Sequence, residues 1–249
     1  MLGWLLVSNK GHQLIINWST GDNLKIGSFS GSLWSEIQLK NVEYTDKQQQ
    51  LSIQQLQLHW QPKALFGRLL HIEKLLASDI TYIVMEQSGK EKPSSLPALP
   101  LALQFDKVDF KTINLRQKGE ATLIHRVAFK AASQGNTVNL SGIEANYLNH
   151  QLNGEASLSL DENSPFNASI FWQGEIPEIG SARANVQANG DMKAVHVRLA
   201  SDSPYNISSH GQVMLHESNP ILELQGDWSY FKWPMKTAAE ITSQSGHFS

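Results

Sequence analysis

Gln151-Leu-Asn-Gly-Glu-Ala-Ser-Leu-Ser-Leu160 decides the fold. Leu152, Ala156, Leu158 and Leu160 share one parity, while Asn153, Glu155, Ser157 and Ser159 share the other. Successive side chains on a strand point to opposite faces, so this stretch has one apolar and one polar surface. Outward from it the pattern repeats at Phe166, Ala168, Ile170 and Trp172, then at Ala182, Ala184, Val186 and Ala188. Val195, Val197 and Leu199 follow, then Tyr205, Ile207, Gly211, Val213 and Leu215. Turn residues separate the runs, at Asp161–Pro165, Asn189–Asp191, Ser201–Pro204 and Glu217–Pro220. Strands at this spacing with no helical segment between them predict an antiparallel all-β architecture.

Apolar-x-apolar-x-x-apolar-x-apolar is the second regularity. It recurs at Ile37/Leu39/Val42/Tyr44, Leu51/Ile53/Leu56/Leu58, Leu103/Phe105/Val108/Phe110 and Val138/Leu140/Ile143/Ala145. On a helix these positions fall at about 0°, 200°, 140° and 340°, which is no single face. On a strand the extra residue reverses the face unless a bulge absorbs it. Bulges repeated in register bend a sheet the same way each time, so the spacing predicts a long curved sheet, apolar on its concave side. One short helix is expected near 61–68, where Pro62 precedes Ala64-Leu-Phe66 and Gly67 follows. Gly89–Pro100 carries Pro93, Pro97 and Pro100 and reads as a loop. Gly27-Ser-Phe-Ser-Gly31 reads as a turn, since Phe29 stands where a nucleophile elbow needs Ser.

Composition narrows the function. The 249 residues carry 20 Lys+Arg against 23 Asp+Glu, a formal net charge of −3. A nucleic-acid partner is not expected, because phosphate contacts need a cationic surplus. Charged residues are only 17% of the chain, below the roughly 25% of an average domain. With 0 Cys there is no disulfide, thiolate nucleophile or Cys-ligated zinc. The 9 His form no His-x-His or His-Glu-x-x-His pattern, and no Walker A or Gly-x-Gly-x-x-Gly loop occurs. Catalytic residues, a metal and a cofactor are therefore not expected, and the chain does not read as an enzyme.

Particular residues carry a family resemblance. Gly27–Leu33, Ile37–Tyr44, Ile53–Pro62, Leu65, Gly67–Leu75 and Ile80 follow one another as in the N-terminal region of the TamB family. These are inner-membrane subunits of the bacterial translocation and assembly module, within the AsmA-like superfamily. Leu222–Met235 resembles a recurring element of the same family, and Ser245-Gly246 the start of its next strand. The resemblance is specific over 20–83 and 222–236 and looser between.

It implies a β-taco, an open groove formed by folding the sheet, in a protein anchored in the bacterial inner membrane with its body in the periplasm. It also implies phospholipid movement between membranes and support of outer-membrane protein assembly and secretion. On that basis 1–19 is a truncated membrane anchor and exit segment, with Leu2, Trp4, Leu5, Leu6 and Val7 as its remnant. Residues 20–88 form the N-terminal AsmA-like β region, 89–100 the Pro-rich loop, and 101–249 further β-taco repeats. The outer-membrane partner TamA would be engaged through a region outside this sequence. Phospholipid acyl chains are the expected partner here, along Leu39, Val42, Ile53, Leu56, Leu58, Leu103, Phe105, Val138, Leu140, Leu158, Ile170, Val186 and Val197. Other readings stay open: a structural or adhesive β-solenoid filled by its own side chains, or a carbohydrate-binding sandwich using Trp172, Trp228 and Trp233.

Overall fold

The structure, a computed structural model, describes residues 23–32, 34–46, 48–85, 101–117, 119–161, 163–177, 179–214, 221–233 and 241–249. The chain divides into a first compact unit, Met1–Pro93 with Pro100–Ser133, and a second, Ser94–Leu99 with Gln134–Ser249.

Strands β1 (Leu24–Gly31), β2 (Glu36–Thr45), β3 (Gln49–Trp60), β4 (Leu69–Val84), β5 (Ala102–Gln117) and β6 (Glu120–Gln134) build the first unit. They lie in sequence order. Their neighbours pair antiparallel except β4 and β5, which are parallel, with Leu69 opposite Ala102 and Tyr82 opposite Leu115. This one step departs from the antiparallel expectation. β5 starts beside the start of β4, so the connection holding the 89–100 stretch is a crossover, which parallel neighbours require. A loop's composition does not say whether the next strand reverses direction. Gly27–Gly31 is also corrected: it is no turn but the second half of β1. The helix expected at 61–68 is a 3₁₀ helix, Pro62–Gly67, closed by left-handed Arg68, whose amide donates to the carbonyls of Ala64 and Leu65.

On β2 and β3 the x-x gap of the apolar spacing falls in one column of unpaired residues, while on β5 the gap at Asp106–Lys107 falls at a separate register shift between Phe105 and Val108. Between β2 and β3, Val42 faces Ile53 and Lys40 faces Gln55, so Asn41 and Gln54 drop out of the pairing. Between β3 and β4 the omitted residues are Gln54 and Asp79, and between β4 and β5 they are Asp79 and Thr112. Gly27 on β1 and His125 on β6 extend the same column. Every strand takes one extra residue at the same level, so each flips its alternation there while register survives. Asn41, Asp79 and Thr112 have φ of 52°, 54° and 54° and stand on the strands that run in one direction. Asn and Asp tolerate this left-handed region, whereas β-branched Thr112 is strained in it. A Cβ on Gly27 would lie 3.0 Å from Asn41 Cβ, so the column is tight where β1 meets β2.

β7 (Thr137–Tyr147), β8 (His150–Ser159), β9 (Phe166–Ile176), β10 (Gly180–Gly190), β11 (Ala194–Ser203), β12 (Ile207–Met214) and β13 (Ile221–Trp228) form the second unit's sheet. β16 (Gly246–Phe248) adds to β13, while β14 (Phe231–Trp233) and β15 (Ile241–Ser243) pair with each other. The Tyr205 hydroxyl donates to the Lys232 carbonyl and ties that small pair down. Here the break in alternation falls in β7, between Leu140 and Ile143, and Gly142 takes φ +57°. β8 to β13 then pair without interruption apart from a shift at Arg183/Ala184. Among the described strands β1 pairs with β2 alone and β16 with β13 alone, so neither sheet closes into a barrel.

Candidate functional site

Register places the apolar residues of the first unit in rows that cross the strands. One row reads Val42, Ile53, Ile80, Ile113 and Ile124. The next reads Leu39, Leu56, Ala77, Phe110 and Val127, and a third Ile37, Leu58, Leu75, Val108 and Phe129. Ile72, Phe105 and Ala131 continue the surface, and Leu103 lies on it opposite Leu70. Leu39 and Val42 of β2, Ile53, Leu56 and Leu58 of β3, and Leu103 and Phe105 of β5 therefore share one face. Much of this face is buried: Ile37, Val42, Ile72, Ala77 and Ile80 are buried, and Val108 is 1% exposed.

The second unit repeats the arrangement with smaller side chains. Val138, Leu158, Phe166, Gly190, Val195, Val213 and Leu222 make one row. Leu140, Ala156, Ala168, Ala188, Val197, Gly211 and Leu224 make the next. Ile143, Gly154, Ile170, Val186 and Leu199 follow. Val138, Leu140, Leu158, Ile170, Val186 and Val197 thus lie on one face too. Small residues bring neighbouring backbones close: a Cβ on Gly154 would come within 2.2 Å of the Ser169 carbonyl oxygen. Toward one end Tyr147 stacks on His150 and His150 on Trp172.

Opposite each apolar face lies a polar one. In the first unit it carries Gln38, Lys40, Gln55, Gln57, Ser78, Asp109 and Lys111, around a concavity of about 350 Å³ that Leu39, Leu56, Leu76 and Ala77 also line. Asp109 is buried there; its Oδ1 accepts from Arg126 Nε at 3.0 Å and its Oδ2 from Nη2 at 3.2 Å. The Arg126 guanidinium holds the Asp109 carboxyl below the usual carboxylate range, with Lys111 and Lys107 adding to the effect. Sequence reading missed this pair, because the residues are seventeen apart and only the β5–β6 register joins them. The second unit's polar face presents Asn139, Ser157, Asn167, Ser169, Gln187 and Asn189.

Where the first sheet's apolar face meets water, its tyrosines turn polar. Tyr44 donates to Asp46 Oδ2 at 3.0 Å and Tyr82 to Gln49 Oε1 at 2.6 Å. Asp46 also accepts from the amides of Gln48 and Gln49, which hold its carboxyl below the usual range. The face can thus offer hydrocarbon contact along the rows and hydrogen bonding at the strand ends.

Leu2, Trp4, Leu5, Leu6 and Val7 lie outside the described residues, as does the 89–100 loop. Among the described residues no helix is long and apolar enough to cross a membrane. A family model described as "TamB, N-terminal domain" matches residues 1–98 and 85–249. No curated protein and no solved structure matches the chain.

Proposed function

The chain belongs to the TamB N-terminal-domain family, and from that premise we propose that each unit's apolar face carries phospholipid acyl chains. The observation that supports this reading most is the register. It carries the apolar rows from strand to strand through kinks that would otherwise reverse their face. A one-sided sheet has to cover its apolar surface. Among the described residues the only helix is the 3₁₀ helix Pro62–Gly67, so no helical layer serves that purpose. An acyl chain would serve, since each buried methylene contributes about 0.8 kcal/mol and a chain of roughly 16 carbons gains on the order of 10 kcal/mol. That is close to what the chain leaves behind in a bilayer, so movement along a row would be nearly flat in energy.

In this reading the protein is anchored in the inner membrane with its body in the periplasm, and it supports outer-membrane protein assembly and secretion. TamA contact is not assigned to any of these residues. No catalytic step is needed, because the work is partition and diffusion. The self-filled solenoid is the second reading, and the buried first-unit face, with Val108 at 1% exposure, favours it locally. Mass spectrometry of lipid retained by the purified chain separates them. Phospholipid at a reproducible stoichiometry supports the carrier, and a lipid-free, stable protein supports the solenoid.

A further inference from the structure

Phe66 is 91% exposed, Leu65 38% and Trp34 48%, a cost in water that strand packing does not explain. All three sit on connections at one end of the first sheet. Leu65 and Phe66 belong to the 3₁₀ helix between β3 and β4, and Trp34 to the turn between β1 and β2. The connections are neighbours, since the Trp60 amide donates to the Ser35 carbonyl at 3.3 Å. β1 enters the sheet at the other end, where Leu24 faces Tyr44. Val84 and Leu123 are exposed toward that end too, but they stand within strands, and its 46–49 turn is closed by Asp46.

Charge accompanies the apolar tips. Lys63 and Arg68 flank Leu65 and Phe66, both are exposed, and no acid lies between Gln61 and Ile72. The carboxylates at this end are engaged. Glu36 accepts from Gln38 and Gln57, Glu73 from Gln61 with His59 beside it, and Asp106 from Gln104 with His71 beside it. Lys63 and Arg68 have no carboxylate partner among the described residues. Left-handed Arg68 and its amide bonds fix the loop, so little ordering is lost when it docks.

We infer that this end of the first unit docks on an anionic bilayer, with Trp34, Leu65 and Phe66 in the interfacial plane and Lys63 and Arg68 on lipid phosphates. Trp with Phe or Leu, flanked by cations, is the composition that partitions into that plane. The contact uses residues outside Met1–Val7. It stands whether or not the apolar face carries lipid.

The absence of cysteine permits a direct test in the full chain. Phe66→Cys and Gln48→Cys, at opposite ends, are each labelled with an environment-sensitive nitrobenzoxadiazole. They are then mixed with vesicles of equal phosphatidylglycerol and phosphatidylcholine. The label is read rather than bulk binding, since Met1–Val7 is itself apolar. At position 66 the emission shifts to the blue and is quenched by spin-labelled lipid; at position 48 it does neither. Lys63→Gln with Arg68→Gln raises the vesicle concentration needed for half the shift at position 66 by about thirtyfold, as expected when two cations leave an anionic surface. A position 66 label that stays in water, or one indifferent to phosphatidylglycerol, overturns the proposal. So does a blue shift that follows protein concentration without vesicles, which would make the patch a contact between copies of this chain.

Discussion

The two units solve one problem with different side chains. In the first the apolar rows are built mainly from Ile, Leu, Val and Phe, and Ile37, Val42, Ile72, Ile80 and Val108 are buried. In the second the rows carry Ala156, Ala168, Ala188, Gly154 and Gly211, and its buried apolar residues are Ala182, Ala184 and Tyr205. The break in alternation crosses all six strands of the first sheet, at Gly27, Asn41, Gln54, Asp79, Thr112 and His125, but occurs in the second at β7. The first sheet carries large side chains on strands kinked in one column, and the second carries small ones on strands that pair almost without interruption. The difference teaches that one-sided apolarity alone does not separate a self-packed face from one that carries a guest.

Charge placed on each face breaks the comparison hardest. Val108→Asp, at 1% exposure, should cost about 4 kcal/mol and unfold the first unit at low urea. Leu158→Arg, on a half-buried position of the second, should cost about 1–2 kcal/mol, because a long cationic side chain can reach water. Its larger effect is expected on retained lipid. Equal losses of stability would mean that the second face is packed like the first.

Glycine substitution comes next. Gly154→Val meets the Ser169 carbonyl at 2.2 Å and should cost about 2–3 kcal/mol. Gly142→Ala has open space, and only its φ of +57° resists, for about 1 kcal/mol. Urea midpoints of the two variants read the difference.

On the first unit's polar face the Asp109–Arg126 pair gives a pH signature. Its folded-state pKa is lowered, so the stabilisation is present above the ordinary carboxylate range near pH 4 and is lost as pH falls below it. Arg126→Ala should lower stability at pH 7 by about 1–3 kcal/mol and flatten the acid limb of a pH–urea profile. The smallest effect has the opposite sign: Thr112→Gly relieves φ 54° at a β-branched residue and should add up to about 1 kcal/mol to the first unit.

Much of this was legible in the residues. Leu152 to Leu160 reads as a strand because alternation is local, and each site residue quoted from the alternation lies on the apolar face of its unit. On β2 and β3 the x-x gap was legible because each strand spends its own extra residue, as Lys40-Asn41 and Gln54-Gln55 do, whereas Thr112 on β5 lies outside the spacing read there. Which residue turns left-handed was not, since Gln54 and His125 occupy the same column with ordinary φ. The parallel β4–β5 step, β1 running through Gly27–Gly31 and the Asp109–Arg126 pair all depend on which strands become neighbours. Nothing within a strand encodes that.

Adjacent residues of β10 give the most direct measurement. A photo-reactive amino acid at Val186 and, separately, at Gln187 is irradiated in cells, and covalently attached phospholipid is counted by mass spectrometry. The account predicts adducts at Val186, with Ala188 repeating the result, and essentially none at Gln187. Equal labelling at both positions, or none at either in a folded protein, would contradict it.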